Sequence, residues 1–361
     1  MSQTLAIFRD AYWGLKARKM FWIVLVLSGL VVAAFGCIGV SEKGMTFLFW
    51  ELDLGNLAGG LPPHVFYKSL FVGLGIDLWL AWVATILALI STAGIFPAFM
   101  QRGSIDLVIA RPIGRWRLFL TQYAAGLLFV TLQIAIFCAA SFLVMGLRGG
   151  TWEPGVFLGI PLVVCFFSYL FSMCVLLGVL TRSTLAALLL TILFWALLAG
   201  LHLAETGMLG FQAMLRQEAR MCDARIERLK ADPKAPAAES RPRPSPYGGW
   251  IRESTDPAKL RNSRDRALRT AERLAAIHRV IYAVKTCLPK TAETVDLLER
   301  TLIRTAELQS GGPDARADQR TQNELVEALR NRSIAWVLGT SLAFELVILA
   351  MGGWIFSRRD F

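Results

Sequence analysis

The 361 residues hold only three histidines and six cysteines, and none of them is spaced for chemistry. His64, His202 and His278 are scattered, and there is no Cys-x-x-Cys or His-Glu-x-x-His pattern to hold zinc. No phosphate-binding loop is present, so hydrolysis of ATP by that route is excluded and no cofactor of its own is expected. Gly73-Leu74-Gly75 lies in an apolar run with no strand before it and reads as packing, not as a dinucleotide site. Cys37, Cys138, Cys165 and Cys174 fall in apolar runs and behave as small hydrophobes. Cys222 and Cys287 would share a compartment. In an antiparallel hairpin, however, they are offset by on the order of 30 Å, far beyond disulfide reach. The net charge of +11 comes without a basic stripe interleaved with aromatics, which argues against a nucleic-acid partner.

What is abundant is apolar sequence. Hydrophobic residues make up 55% of the chain, and the mean hydropathy of +0.50 is far above that of a soluble domain. A bilayer core takes about 20 apolar residues per helix, and several stretches supply them. Met20–Val40 carries no charge. Ser69–Phe96 is a second span and Leu118–Leu147 a third. The run from Gly155 to Ala204 is broken only at Thr181-Arg182-Ser183-Thr184, which gives two helices joined by a tight turn at Arg182. Ser333–Phe356 is the last. Ser41–Lys68 reads as a loop. Ahead of the first span, Ile7, Phe8, Ala11, Tyr12 and Leu15 share one helical arc flanked by Arg9, Lys16, Arg18 and Lys19, as in a helix lying in the membrane interface.

Between the fifth and sixth spans lies a long insertion, Glu205–Arg332. Leu215, Ala219, Cys222, Ile226 and Leu229 form a heptad seam, and Leu274, Ile277, Ile281, Val284 and Leu288 suggest a second. Six prolines and Gly248-Gly249 between 231 and 257 mark a linker or cap. A third helix is expected over Ala292–Gln309. The chain thus reads as an all-α integral membrane protein. It has six transmembrane helices, an N-terminal amphipathic interfacial helix and a large extracytoplasmic helical insertion between spans five and six. Its divisions fall at 1–204, 205–332 and 333–361. Eleven Lys and Arg lie in the segments assigned to the cytoplasm and three in the two short outer loops, which places both termini inside.

Two features carry candidate function. Asp77 and Glu345 are acids well inside spans, where a charge costs roughly 3 kcal/mol or more. Each reads as part of a substrate path, as a protonatable site, or as a neutral hydrogen-bonded acid between helices. The other feature is the polar island Pro97–Gln122, PAFMQRGSIDLVIARPIGRWRLFLTQ, with four arginines and one aspartate. Gly103-Ser104 offers an N-cap and Asp106 suits the first turn. Arg111-Pro112 ends the helix. The result is a short apolar-faced helix at the cytoplasmic surface, suited to a groove on another protein; the plainer reading is a basic loop that only sets topology.

The RGSIDLVIARPIGR stretch, the interfacial helix over Ile7–Lys19 and the closing SRRDF together resemble the permease subunits of ABC-2 type transporters, a likeness that covers the six spans. The resemblance implies that Arg102, Gly103, Ser104, Ile105, Asp106, Leu107, Ile109, Pro112 and Arg115 form the coupling region that docks on a separate ATPase subunit. It also implies a second permease copy, ATP bound by the partner, export across a bacterial plasma (inner) membrane, and no enzymatic activity in this chain. The long insertion departs from compact members of that family, and an extracytoplasmic protein bound at 205–332 is one role for it. Two other classes are open. A secondary transporter would use Asp77 and Glu345 as proton sites. A membrane-anchored sensor or assembly factor would use the helical insertion to bind partners.

Overall fold

The computed structural model describes residues 19–41, 44–47, 50–52, 70–100, 114–150, 152, 154–231, 243–244, 250–251, 256–302 and 333–358. The interfacial helix expected ahead of Lys19 lies outside the described residues. So do most of the residues expected to form a coupling region: Arg102, Gly103, Ser104, Ile105, Asp106, Leu107, Ile109 and Pro112.

Helix dominates. Among the described residues, five helical stretches are long and apolar enough to cross a membrane: Gly73–Phe99, Arg115–Arg148, Pro154–Thr181, Thr184–Ala231 and Ile334–Arg358. The chain is a membrane-embedded helical protein. The sixth expected span is shorter. Helix α1 (Lys19–Cys37) has its apolar part over Phe21–Cys37, about 25 Å long at 1.5 Å per residue, close to the least that spans a bilayer core. It ends before Val40 because Ile38-Gly39-Val40-Ser41 turns into a strand. That strand, β1 (Ile38–Ser41), pairs antiparallel with β2 (Gly44–Phe47), which pairs with β3 (Trp50–Leu52). The Ser41–Lys68 segment is therefore not all loop. The β-branched Ile38 and Val40, two apart at the end of an apolar run, favour a pleated ribbon over another helical turn. A second, two-stranded ribbon joins β4 (Arg243–Pro244) to β5 (Trp250–Ile251).

The second span is wound unevenly. It begins as a π-helix, α2 (Phe71–Ala84), and continues as α3 (Thr85–Thr92) and α4 (Ile95–Phe99). Thr85 Oγ1 donates to the Leu80 carbonyl at 2.7 Å, five residues back, which suits the wider turn. Next come α5 (Arg115–Gly149), a 3-10 turn at Pro154–Leu158, α6 (Gly159–Thr181) and α7 (Thr184–Ala231). The turn expected at Arg182 is there. Arg182 is left-handed (φ 55°), and its N–H caps the Gly178 carbonyl at 3.0 Å. The remaining helices are α8 (Pro257–Thr286), α9 (Thr291–Leu302) and α10 (Ile334–Arg358). Asp256 caps α8 by accepting from the Ala258 N–H at 2.9 Å, with Pro257 at the first helical position.

The chain forms two compact units. The first comprises Met1–Leu198, Pro289–Ser310 and Val337–Phe361; the second comprises Ala199–Leu288 and Gly311–Trp336. In the first unit, one core runs through α1 to α6. Its largest fully buried side chains include Phe96, Phe119, Phe129, Phe137, Phe167, Tyr169 and Phe171. Helix α9, expected in the insertion, groups with this unit and packs on α6.

The second unit is a hairpin of α7 and α8. The first expected seam is its inner face, with Leu215, Ala219, Cys222 and Ile226 buried and Leu229 packed beside them. Of the second seam, Leu274 packs on that face but the stripe as a whole does not. Ile277 is 52% exposed and Val284 50%, while the buried side of α8 carries Leu260, Ala267, Ala271 and Lys285. Polar pairing across the hairpin turns α8 away from its most apolar stripe. None of the six cysteines is in a disulfide. Cys222 packs near Ile226 and Leu260, far along the hairpin from exposed Cys287.

Candidate functional site

Helix α10 turns one row of residues inward: Val337, Ser341, Glu345, Ile348, Gly352 and Phe356. The spacing is that of one helical face, so the single acid on this row is carried into the unit's interior. Further along, α10 meets α5 closely enough that a Cβ on Gly353 would lie 2.3 Å from the Trp116 ring, a contact only glycine permits.

Glu345 is 8% exposed and held from two helices. Tyr123 of α5 donates its hydroxyl to Oε1 at 2.7 Å, and Ser168 of α6 donates to Oε2 at 2.7 Å. Each donor has a second acceptor in reach. Tyr123 Oη is 3.2 Å from the Ser168 carbonyl, and Ser168 Oγ is 2.8 Å from the Cys165 carbonyl. The Tyr123 ring is fixed by stacking on Phe171, with centroids 5.1 Å apart and planes at 10°. Phe171 in turn lies against Gly126, where a Cβ would stand 2.7 Å from the ring.

This geometry serves both forms of the acid. As a carboxylate, Glu345 accepts from both hydroxyls. As a carboxylic acid, it donates to Tyr123 Oη, and Tyr123 then donates to the Ser168 carbonyl. A proton can arrive or leave without orphaning a buried group, an outcome few buried acids enjoy.

A buried lysine meets the same helix one turn away. Lys290, 1% exposed, precedes α9; its N–H donates to Ser341 Oγ at 2.9 Å, and its Nζ donates to Thr340 Oγ1. Ser341 is one turn from Glu345 on α10. Sequence reasoning missed Lys290 because it lies in a polar segment far from any apolar run.

The other sequence-derived residues fare differently. Asp77 is on the π-helical α2, and its side chain lies outside what is described. Arg115, at the first turn of α5, donates from Nη1 to the Ser357 carbonyl at 2.9 Å. That carbonyl is among the last four of α10, which have no intrahelical partner. The arginine therefore ties the start of α5, just past the polar island, to the helix that carries Glu345.

The second unit has a polar cluster of its own. Glu205, fully buried, forms an ion pair with Lys285, whose Nζ is also 3.0 Å from His202 Nδ1. His278 Nε2 stands 3.7 Å from Glu205 Oε1. The two histidines taken as scattered thus converge. His202 and Glu205 are three apart on α7, and His278 and Lys285 seven apart on α8. Each pair shares a helix face, the signal a search for adjacent ligands overlooks.

Residues 30–205 match a family described as protein of unknown function (DUF2705). No curated protein and no solved structure matches the chain. The DUF2705-like stretch runs from within α1 to Glu205. It therefore includes Tyr123 and Ser168, while Glu345 and Lys285 lie beyond it.

Proposed function

We propose that the chain is the transmembrane permease subunit of an ABC-2 type exporter, working with a second permease copy and a separate ATPase in a bacterial plasma membrane. The observation that carries this reading is the Arg115–Ser357 bond. The coupling stretch 102–112 leads within three residues to Arg115. A partner pressing on that stretch therefore acts on the start of α5 and, through Ser357, on the end of α10. The same two helices meet again at Tyr123 and Glu345. Closure of an ATPase dimer would move them as rigid bodies and shift the polar cluster between two arrangements. The chain binds no nucleotide in this scheme; ATP hydrolysis belongs to the partner. The test is purification from native membranes. An ATPase subunit is expected to accompany the chain, and its absence from an intact, monodisperse preparation would remove the proposal.

In the same reading both termini and Arg182 face the cytoplasm and the α7–α8 hairpin projects outward, following the Lys and Arg asymmetry. A single cysteine at Ser240 is expected to react with a membrane-impermeant maleimide in intact cells. Protection at that position would invert the topology.

The Glu345 cluster favours one second reading, a proton-coupled transporter, because its hydrogen bonds close in either protonation state. Glu345→Gln separates the two. The amide cannot exchange a proton but can keep both contacts. An exporter using Glu345 only to line its path would lose substrate-stimulated ATPase activity. A proton-coupled transporter would lose its dependence on a pH gradient while still exchanging substrate. If stimulation and gradient dependence both match wild type, Glu345 is a packing acid.

A further inference from the structure

A helical hairpin in water keeps apolar side chains between its helices and charge outside. The outer part of the α7–α8 hairpin obeys this. Leu215 and Ala219 face Ala267 and Ala271, and Cys222 and Ile226 pack with Leu260. Arg216, Arg220, Asp223, Glu227 and Arg228 of α7, and Arg261, Arg266, Arg269 and Arg273 of α8, are exposed. Glu218 and Arg225 are the buried exceptions.

Toward the Glu205–Lys285 end the arrangement inverts. Glu205, Lys285, His202 and His278 turn toward one another between the helices. Outward, α8 shows Ile277 (52% exposed), Val280 (64%) and Val284 (50%), while α7 shows Leu203 (74%) and Met214 (47%). On α8 from Ala275 to Thr286, Arg279 is the single exposed charge, and on α7 none is exposed from Ala199 to Leu215. Charge inside and hydrocarbon outside is the pattern of a helix pair whose solvent is lipid.

Both helices invert at one level. Asp223 meets Arg264 at 3.0 Å and Glu205 meets Lys285, which sets the antiparallel register and puts Leu215 opposite Ala271. Exposed charge resumes within two residues of that level on each helix, at Arg216 and Arg273. Two coincident boundaries on separate stretches of chain mark a plane. Its height agrees with the bilayer. From Thr184 to Glu205, α7 rises about 30 Å, the thickness of the hydrocarbon core. The next ten residues, to Leu215, match the headgroup layer with some helix tilt. The uncharged run Leu118–Leu147 of α5 is of similar length. Tyr282 stacks on Trp336 at 5.9 Å and 7°, an aromatic pair of the type that gathers at membrane interfaces. Arg279 has the reach to snorkel toward headgroups.

We propose that the base of the α7–α8 hairpin, residues 199–215 and 275–286, is immersed in the lipid interface, its apolar face on acyl chains and its charges paired inside. The proposal depends only on the helices being membrane-embedded and holds or fails independently of the transport reading. The test is spin labelling of the full chain in proteoliposomes, with native cysteines replaced and labels at Val280→Cys or Val284→Cys. Collision with oxygen and with a water-soluble nickel chelate is compared with Leu346→Cys, on the exposed face of α10, and Arg273→Cys. The expected result is a Leu346-like response, with an oxygen-to-nickel ratio several-fold above that at Arg273. A ratio like that of Arg273 would place the base in water and overturn the proposal. Shielding from both quenchers would overturn it too, by showing a protein cover such as a second copy.

Discussion

Lys285→Met is expected to destabilise the protein by about 3–5 kcal/mol, because it leaves the Glu205 carboxylate buried without its cation. Glu205 has no exposed surface and the Lys285 side chain is 6% exposed, so water cannot replace the lost partner. The hydrogen bond from Lys285 to His202 Nδ1 goes with it, which adds a second group to be re-satisfied. Paired removal behaves differently. Glu205→Gln with Lys285→Met takes away both charges and leaves a neutral amide that His202 and His278 can still contact. Replacing a buried ion pair by neutral groups of similar volume is often close to neutral, so the double variant should recover most of the loss. The measurement is a double-mutant cycle read by thermal unfolding in lipid nanodiscs. Additive single effects, with no recovery in the double variant, would show that the pair is not the unit the geometry makes it.

Leu107→Asp is expected to weaken ATPase association by an order of magnitude or more. Burying a leucine is worth roughly 1.5–3 kcal/mol, and a tenfold change in affinity corresponds to about 1.4 kcal/mol. A carboxylate in an apolar groove adds a desolvation cost to the lost contact. Leu107 is in the polar island between the second and third spans, so insertion and span packing should survive the change. Pro112→Ala should act more mildly, by letting the helix expected there run on and misplacing Arg115, whose bond to the Ser357 carbonyl is part of the proposed linkage. The readout is co-purification of the ATPase with a membrane-inserted, monodisperse variant. An unchanged complex with unchanged coupled ATPase activity in Leu107→Asp would end the coupling reading.

How far the sequence could be read depended on whether local chemistry or distant pairing decided each residue. The long spans were legible because a bilayer imposes one simple demand, a run of apolar residues of set length. Arg182 was legible because a polar break in such a run admits little besides a turn. The α7 seam followed from heptad spacing alone. The α8 seam misled for the opposite reason. Ile277, Ile281 and Val284 look like a core stripe when the only alternative is water, and the stripe changes meaning once Lys285 and His278 have partners on α7. Glu345 could be singled out from its depth, but its two hydroxyl donors, 222 and 177 residues away along the chain, could not. Lys290 was hidden because nothing in the Thr291–Leu302 sequence advertises that it folds back against α6.

The unbroken length of α7 has a mechanical consequence. Forty-eight residues run from Thr184 to Ala231 as one helix, with no proline between them. Such a rod is stiff along its axis, so a length of it behaves as a lever. From Glu205 to Ala231 the free arm is about 39 Å, so a tilt of about 10° at the base sweeps the tip through about 7 Å. The α8 strut, tied on by Arg264–Asp223 near one end and Lys285–Glu205 at the other, braces the arm against bending. A small tilt at the base of the hairpin therefore arrives at its far end amplified, large enough to open or close a contact with whatever stands there.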